Sequence, residues 1–369
     1  MTKSKKLLQC AVILAGGRGT RFWPRSRNRT PKQLLNIVSA KSMLRETADR
    51  LEPLFSPNQT WIVTNVEVAA AARRELPRVP RQQILAEPMG RNTAAAIGLA
   101  AIHLAQEYGD AVMAVLPADH YIGDTVRYRR IVRSAMTLAA RPGNLVVLGI
   151  PPTRPDTGFG YVERGNAVRY NDVTAYAVKR FTEKPSADAA RRYAASTQYF
   201  WNGGMFFFRV STFLECLRKF MPRTWSGLGE LQQSIGTAGY SRALARIYSR
   251  LENISVDYAV MEPASRGKGN EHVFMLPARV DWSDIGSWAA VYELLARKRN
   301  ANVSEGESFT FDASGNFLWS AGKFIAAIGV QNLVIVDTGD ALLVCPRNRA
   351  QDVGKIVKYL EEKHRADLL

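Results

Sequence analysis

The sequence has few of the residues that build disulfide frameworks and metal clusters. Its 369 residues include only three cysteines and four histidines. No two cysteines have the C-x-x-C spacing, and Cys10 and Cys345 lie in apolar runs. These features argue against a disulfide scaffold or a cysteine-ligated zinc site, and they favour a reducing, cytoplasmic compartment.

Long apolar runs are also absent. No run approaches the roughly 18–20 residues that a membrane-spanning helix needs, so we expect no membrane partner. Lys3, Lys5 and Lys6 precede the apolar residues 7–15 and imitate a signal peptide. This run is short and lacks a small-residue cleavage site, so it predicts the first strand of the fold rather than a leader.

Acidic residues are outnumbered, with 33 Asp and Glu against 50 Lys and Arg, a formal net charge of +17. A strongly basic chain suggests an anionic partner, and nucleic acid is one alternative. The positive charge is spread along the chain, and no nucleic-acid-binding motif is recognisable. We therefore interpret the excess as a generally basic surface and expect no nucleic-acid partner.

The chain is long enough for one large domain and a small one. In its first half, short apolar runs typical of strands alternate with helical patterns, which predicts an α/β fold with a mostly parallel sheet flanked by helices. Ligands bind at the carboxyl ends of the strands in such sheets. The predicted strands of this half are residues 10–15, 61–65, 83–86, 111–116 and 145–150, and the predicted helices are 66–75, 93–106 and 126–140.

The pattern changes near residue 300, which predicts domains at residues 1–299 and 300–369. Before this boundary the signals are mixed, with a closing helix predicted over residues 287–299. Beyond it, short strands at close intervals predict a small β unit that ends in a helix over residues 351–363. We expect this unit to be separate and to support stability or assembly, because every candidate catalytic residue precedes it.

A glycine-rich turn directly follows the first predicted strand. Gly16, Gly17 and Gly19 permit a sharp turn that brings backbone N–H groups against an anion. Arg18, Arg21 and Lys32 add nearby cations, so this segment predicts a polyphosphate site. No Gly-Lys-Ser/Thr closes the turn as in a Walker A loop, and the glycine spacing differs from the dinucleotide-binding fingerprint.

Two aspartates follow apparent strands further along the chain. Asp119 lies in Pro-Ala-Asp-His, and Asp284 lies in Trp-Ser-Asp-Ile-Gly. Each has the alternative role of a helix N-cap. Magnesium is commonly held by one or two carboxylates together with phosphate oxygens, so Asp119 and Asp284 are candidate ligands, with Asp281 as a weaker competitor.

Glu87 is a candidate for reading a nucleobase. A carboxylate can accept hydrogen bonds from N1–H and N2–H of guanine together, a pair that adenine lacks, although Glu87-Pro88 has the alternative role of shaping a turn. Asn92 is predicted to cap the following helix, and Thr93 begins that helix, whose positive end attracts oxygen atoms of a ligand. Glu183-Lys184-Pro185 is a common turn-like string, and taken alone it is typical of a solvated ion pair.

The order of these motifs is more specific than any one of them. The strings G-G-x-G-T-R, P-K-Q, E-P-x-x-R-N-T-A, P-A-D-H, G-Y-V-E, E-K-P, N-G-G-M-F, V-D-Y-A-V-M-E and W-S-D-I-G-S-W follow one another over residues 11–288. Together they resemble the sugar-1-phosphate nucleotidyltransferase family. Phe22-Trp23-Pro24 is similar to its mannose-1-phosphate guanylyltransferase branch.

The resemblance implies a Rossmann-like catalytic domain, a short left-handed β-helix after it, and a homodimer. It implies transfer of GMP from GTP to α-D-mannose 1-phosphate, giving GDP-mannose and pyrophosphate, with Mg2+ on Asp119 and Asp284. The implied catalytic residues are Arg21, Lys32 and Lys184. The implied nucleotide-binding residues are Ala15, Gly16, Gly17, Gly19, Thr20, Glu87, Asn92 and Thr93, and the implied sugar-phosphate-binding residues are Gly160, Glu163, Glu183, Lys184, Asn202 and Gly203.

The sequence also departs from the commoner family pattern. Arg18 and Gly203 stand where serine is frequent, and Ala95 stands where proline is frequent. The alternatives are another sugar 1-phosphate such as a heptose, another nucleotide, or a non-catalytic regulatory homologue. Larger family members carry an appended isomerase domain, for which we expect too little chain after residue 345.

Overall fold

The computed structural model describes residues 7–170, 173–267 and 272–369, so Lys3, Lys5 and Lys6 lie outside it. Its strands are β1 Leu8–Ala15, β2 Thr60–Asn65, β3 Ile84–Glu87, β4 Ala111–Pro117, β5 Tyr121–Ile122, β6 Asn144–Ile150, β7 Tyr161–Tyr170, β8 Val173–Thr182, β9 Tyr199–Arg209, β10 His272–Pro277, β11 Trp282–Ser283, β12 Val303–Glu305, β13 Ser308–Phe311, β14 Phe317–Ser320, β15 Ile325–Ile328, β16 Leu333–Asp337 and β17 Leu342–Pro346. Its α-helices are α1 Met43–Leu51, α2 Val66–Glu75, α3 Asn92–Tyr108, α4 Thr125–Ala139, α5 Ala187–Ala194, α6 Val210–Phe220, α7 Pro222–Gln232, α8 Tyr240–Tyr248, α9 Glu262–Ser265, α10 Trp288–Leu295 and α11 Val353–Glu362.

The centre of the described structure is a nine-stranded sheet with the order β3-β2-β1-β4-β9-β6-β10-β8-β7. Strands β8 and β9 pair antiparallel with their neighbours, and the other strands share one direction. The predicted mostly parallel sheet is thus confirmed. Because β1 and β4 are parallel neighbours with Leu14 opposite Pro117, the segments that follow them leave the sheet at the same edge.

Both faces of the sheet are covered. Successive side chains of a strand point to opposite faces, and in β1 Cys10 and Val12 join one core cluster while Ala11 and Ile13 join another. Helices α3, α6, α7 and α8 pack in the first cluster, and α1, α2, α4 and α5 pack in the second. Two-sided burial explains why the strands of the first half are continuous apolar runs.

The elements predicted in the first half are confirmed with shifts of one or two residues at their ends. Helices α6 to α8 and strand β10 have no counterpart among the predictions. In α7, Gly227 and Gly229 lower the helix propensity of the segment. A side chain at position 227 would meet Leu251 at 2.9 Å, so close packing explains that glycine.

The C-terminal unit, residues 300–369, is built from coils that stack on one another. Val303 lies opposite Phe317, and Phe317 lies opposite Val334, in the parallel strands β12, β14 and β16. Strands β13 and β15 form a second parallel pair. Chain segments that return to parallel register in this way form a β-helix, as expected for this unit.

This unit shares a hydrophobic core with the segment after the glycine-rich turn. The ring of Phe317 stacks on Trp288 at a centroid distance of 5.4 Å, and Trp288 meets Phe22 edge-on at 5.1 Å. Helix α11 adds Val353 and Val357 to the same cluster. The C-terminal unit is therefore packed against the turn region through this cluster.

Candidate active site

A cavity of about 390 Å³ opens at the carboxyl edge of β1 and β4. It brings the glycine-rich turn, the predicted base-reading segment and one predicted metal ligand into a single chamber. Its lining includes Ala15, Gly16, Gly17, Gln33, Glu87, Asn92, Thr93, Asp119, His120, Gly204 and Asp257. The chamber lies where the sheet topology places ligands in α/β proteins.

The glycine loop, residues 16–20, has a backbone that requires glycine at position 19 and leaves little room for a side chain at position 16. Gly19 has φ +62°, and a Cβ there would lie 2.4 Å from Cβ of Lys32. A Cβ at Gly16 would lie 3.1 Å from Oε2 of Glu87. Thr20 then begins a short 3-10 helix, Thr20–Phe22, that carries Arg21. The loop therefore lines the cavity with the backbone of Gly16 and Gly17 and leads directly into the helix that carries Arg21.

The start of the glycine loop is fixed by two buried side chains. The carbonyl oxygen of Ala15 accepts hydrogen bonds from Nε2 of Gln33 at 2.7 Å and from the hydroxyl of Thr64 at 2.9 Å. Gln33 is only 2% exposed. The P-K-Q string therefore contributes a structural anchor as well as the cation Lys32, a role that its sequence pattern did not indicate.

Lys32 connects the two predicted metal ligands. Its side chain is 7% exposed, and its Nζ donates to Oδ2 of Asp119 at 2.9 Å and to the backbone oxygen of Asp284 at 2.7 Å. A buried ammonium is costly unless its donors are satisfied by such partners. The geometry therefore places both aspartates around one cationic centre at the edge of the cavity.

The two aspartates have different electrostatic surroundings. Burial raises the pKa of Asp119, but Lys32 and His120 more than offset this effect, so the pKa lies below its ordinary value. Burial also raises the pKa of Asp284, and there the nearby Lys32 and Arg21 offset it only in part. One carboxylate is therefore ionised in place, whereas the other gains from an additional cation.

Asp284 lies in a turn with an uncommon backbone. The following residue, Ile285, has φ +42°, which is strained for a β-branched side chain, and its N–H donates to the hydroxyl of Ser283 at 3.1 Å. A Cβ at Gly286 would lie 2.7 Å from Oδ2 of Asp284. Asp281 is exposed, and its backbone oxygen accepts from Gly123, so it lies outside the Lys32 cluster.

The two arginines of the glycine-loop region are engaged by the C-terminal unit. Nη1 of Arg21 donates to Oε1 of Gln351 at 2.7 Å, and Arg18 forms an ion pair with Glu361 at 2.6 Å. Both contacts are exposed, so each stabilises the fold only modestly. Arg18 is therefore paired with Glu361 outside the cavity, whereas Arg21 lies beside Asp284.

Glu87, the predicted base-reading residue, is buried in the wall of the cavity and is 5% exposed. Its Oε1 accepts a hydrogen bond of 2.6 Å from the hydroxyl of Tyr248, the last residue of α8. Burial raises the pKa of Glu87 to about 7, although the Tyr248 hydrogen bond acts in the opposite direction. No local sequence signal marked Tyr248 as part of the site.

The start of α3 differs in detail from the predicted cap. Arg91 occupies the N-cap position, and Asn92 has φ +61° with its side-chain oxygen accepting from the N–H of Thr93 at 2.9 Å. Asparagine tolerates this left-handed conformation better than most residues. The hydroxyl of Thr93 accepts from the N–H of Val256 at 2.9 Å, which ties α3 to the segment preceding Asp257.

Three of the predicted sugar-binding residues come together with Asp257. A Cβ at Gly160 would lie 2.2 Å from Oε2 of Glu183, so glycine allows that carboxylate to approach. Among the described residues, no hydrogen-bond partner reaches this buried Oε2. Asn202 donates to Oδ1 of Asp257 at 2.6 Å. The cluster therefore offers an unpaired acceptor suited to a hydroxyl donor.

Both acids of this cluster have raised pKa values. Burial, and then the neighbouring Asp257, raises the pKa of Glu183 to about 7. Burial also raises the pKa of Asp257, although Asn202 opposes this shift. Lys184 is exposed and has φ +47°, an uncommon conformation that often marks functional positions. Asp257 is the aspartate of the V-D-Y-A-V-M-E string, and the sequence alone gave it no role in the site.

Two predicted sugar-binding residues have other contacts. Glu163 forms ion pairs with Lys179 at 2.9 Å and Arg180 at 3.8 Å. A Cβ at Gly203 would lie 2.8 Å from the backbone oxygen of Leu148, so this glycine allows β9 to pair closely with its neighbouring strand β6. The contacts of these two residues are thus with the sheet and its charged surface.

The carboxylates present suit a metal that takes most of its ligands from substrate. The described residues contain no group of three or more His, Cys, Asp or Glu side chains that could enclose an ion. Asp119 and Asp284 match instead the one or two carboxylates by which Mg2+ is held beside phosphates.

No helix in the described part of the chain is long and apolar enough to cross a bilayer.

Comparison with known proteins agrees with this geometry. A nucleotidyl transferase family model matches residues 10–300, and a MannoseP isomerase/GMP-like beta-helix domain matches residues 306–360. Mannose-1-phosphate guanylyltransferase of Klebsiella pneumoniae is 39% identical over 96% of this chain and 74% of its own length. The enzyme RfbM of Salmonella typhimurium, also a mannose-1-phosphate guanylyltransferase, is 40% identical over 96% of this chain and 73% of its own.

A solved structure shows the same architecture over nearly the whole chain. The crystal structure described as mannose-1-phosphate geranyltransferase from Thermus thermophilus is 35% identical, with a TM-score of 0.84, and covers 96% of this chain and 99% of that one. Matches of this identity and coverage establish the family. The chain belongs to the nucleotidyl transferase family, among the mannose-1-phosphate guanylyltransferases.

Proposed function

We propose that the protein transfers GMP from GTP to α-D-mannose 1-phosphate, giving GDP-mannose and pyrophosphate. The observation that carries the proposal is the Lys32 cluster, in which one ammonium contacts Asp119 and the backbone of Asp284 at the mouth of the cavity. A phosphate oxygen of the sugar substrate attacks the α-phosphorus in line, and the bond to the departing pyrophosphate breaks. No protein nucleophile is required, so positioning and charge neutralisation supply the catalysis.

Asp119 and Asp284 are the residues that would hold Mg2+. Their fit rests on the ionised state of Asp119 and on the electrostatic gain that a cation would give the buried Asp284. When bound, the ion neutralises charge on the transferring phosphoryl group. In this proposal Asp281 has no part in the metal site.

In this proposal, Arg21 and Lys32 are the cations that face the triphosphate. Arg21 and Lys32 stabilise the charge that accumulates on the departing pyrophosphate, because both lie beside Asp284 at the reacting edge. Ala15, Gly16, Gly17, Gly19 and Thr20 supply the turn whose backbone groups bind the phosphates.

Glu87 is the residue that selects guanine in this proposal. As a carboxylate it accepts from N1–H and N2–H of the base, and Asn92 and Thr93 form the adjoining wall of the cavity. Its raised pKa means that base recognition weakens below about pH 7, where the carboxyl becomes protonated.

In this proposal the sugar phosphate binds at the cluster of Gly160, Glu183 and Asn202. Lys184 orients the attacking phosphate, and Glu183 accepts from a sugar hydroxyl through its unpaired Oε2. Gly160 permits that approach, and Asn202 is oriented by Asp257. Glu163 and Gly203 retain proposed roles in shaping this pocket through their strands.

We further propose that residues 1–299 form the catalytic domain and that the C-terminal unit mediates a homodimer. Its surface exposes large apolar side chains that one chain leaves uncovered: Phe309, Phe311, Phe324, Ile328, Leu342 and Val344. Burial of such a patch against a second copy would remove it from water. The low cysteine content supports a cytoplasmic location.

The direct test is pyrophosphate release from GTP with magnesium and a panel of sugar 1-phosphates. The proposal expects the fastest turnover with mannose 1-phosphate and little turnover with ATP or UTP. Preference for a heptose 1-phosphate or another nucleotide would revise the substrate. Absence of turnover with every pair would indicate a regulatory homologue.

A further inference from the structure

Tyr248 is a fully buried phenol whose hydroxyl reaches the base-reading carboxylate from a distant part of the chain. It ends helix α8 and is 0% exposed, and its hydroxyl lies 2.6 Å from Oε1 of Glu87, which is 161 residues away in sequence. Hydrogen bonds to a carboxylate are short and about twice as strong as neutral ones. Because it is also buried, this contact is less weakened by solvent than the exposed contacts made by Arg18 and Arg21.

The hydrogen bond leaves the rest of the carboxylate available. A carboxylate has about four lone-pair positions, and Tyr248 occupies one of them on Oε1. The other oxygen, Oε2, faces Gly16, where a Cβ would lie only 3.1 Å away. The carboxylate is therefore held between a phenol on one side and the glycine loop on the other.

We propose that Tyr248 is a positioning residue for base selection, because it fixes the Glu87 carboxylate in the orientation in which its remaining lone pairs accept N1–H and N2–H of guanine. The inference rests on the proposed function, since it concerns the base that the same cavity takes. Tyr248 does not contact the nucleotide, and it acts only through Glu87.

Tyr248 also affects the protonation of Glu87. Burial raises the pKa of Glu87 to about 7, and the Tyr248 hydrogen bond opposes that rise. The other groups near this pair are Arg91 and Tyr240, which act on Tyr248. Loss of the hydroxyl moves the pKa of Glu87 upward. A protonated carboxyl has one O–H donor and one carbonyl acceptor, so its two oxygens can no longer both accept from N1–H and N2–H of guanine, whereas they match the N1 acceptor and the N6 amino donor of adenine.

The test compares Tyr248→Phe with Tyr240→Phe. The control removes a hydroxyl from the same helix, where Tyr240 contacts Nε2 of His103 at 2.7 Å and does not touch Glu87. Binding of GTP, ITP and ATP is measured by calorimetric titration without sugar phosphate, between about pH 6 and pH 9. ITP lacks the N2 amino group and therefore separates the two guanine contacts.

We expect Tyr248→Phe to bind GTP about 10-fold more weakly than the wild type at pH 7. The preference for GTP over ITP should narrow, ATP binding should not weaken, and the pH at which half of the GTP affinity is lost should rise. The KM for mannose 1-phosphate should stay at the wild-type value, and Tyr240→Phe, which leaves the Tyr248–Glu87 hydrogen bond intact, should keep the wild-type preference for GTP over ITP.

Two outcomes overturn the inference. One is a wild-type GTP affinity and pH profile in Tyr248→Phe, and the other is an equal weakening for all three nucleotides, which indicates a purely structural role. Failure of the proposed function is distinguishable, because it is a wild-type protein that releases no pyrophosphate from GTP and mannose 1-phosphate. The titration with nucleotides alone still decides the role of Tyr248 in that case.

Discussion

Replacement of Lys32 by methionine removes the cation that contacts both Asp119 and the backbone of Asp284. Methionine keeps much of the side-chain volume but leaves Oδ2 of Asp119 and the backbone oxygen of Asp284 without their donor. Breaking a fully buried ion pair in this way costs about 3–5 kcal/mol. The side chain of Asp119 is 37% exposed, so water replaces part of the interaction, and we expect a loss of about 1–3 kcal/mol in the free energy of unfolding.

The loss should depend on pH with a definite sign. Lys32 helps to hold the pKa of Asp119 below its ordinary value, so this stabilisation is present above about pH 4 and is lost as the pH falls through the folded-state pKa. In Lys32→Met, the charge and the hydrogen bond of Lys32 no longer oppose the effect of burial on the pKa of Asp119, and His120 opposes it only in part. The difference between variant and wild type in urea unfolding should therefore be largest near neutral pH and should shrink toward about pH 4.

The turnover rate of Lys32→Met should fall by more than its loss of folding stability can explain. Lys32 is proposed to stabilise the departing pyrophosphate, and removal of one such group lowers kcat by about 100-fold or more. The matched control is Lys41→Met, because Lys41 forms an ion pair of 2.6 Å with Asp49 at a position that is 59% exposed. It should lose under about 1 kcal/mol and no activity. Near-normal stability and turnover in Lys32→Met would refute this account of the cluster.

The remaining predictions separate substrates and subunits. Lys184→Ala should raise the KM for mannose 1-phosphate and leave that for GTP, whereas Arg21→Ala should show the reverse in two-substrate initial rates; the same pattern in both would show that the cations are wrongly assigned. Gln351→Leu should raise the KM for GTP about threefold, because its exposed hydrogen bond to Arg21 is weak, and an unchanged KM would exclude that support. Phe311→Asp should convert a dimer into a monomer in light scattering without loss of turnover per chain; an unchanged mass would place the interface elsewhere.

The sequence predicted those features that depend on local pattern. The apolar runs of β1 and β4, each followed by a turn, were sufficient to place the glycine loop and Asp119 at one sheet edge, because parallel neighbours end together. Gly19 was expected at a sharp turn, and its positive φ confirms the reason for a glycine there.

The sequence could not predict contacts that depend on the complete topology. Tyr248 meets Glu87 only because α8 packs on the face that carries α3, and β9 enters between β4 and β6 from far along the chain. The pKa of Glu183 near 7 likewise results from burial beside Asp257, which is distant in sequence. Such effects depend on which side chains surround a group, and spacing along the chain does not contain that information.

The most direct test of the central claim is the rate of pyrophosphate release from GTP, mannose 1-phosphate and saturating Mg2+ by the wild type, Asp119→Ala, Asp284→Ala and Asp281→Ala. We expect a fast wild type and a fall of about 1000-fold or more in each of the first two variants, because each removes a proposed ligand of the ion that neutralises the transferring group. Folding of each variant is checked by circular dichroism, and Asp281→Ala should remain close to the wild type. Near-normal rates in Asp119→Ala or Asp284→Ala would contradict the claim.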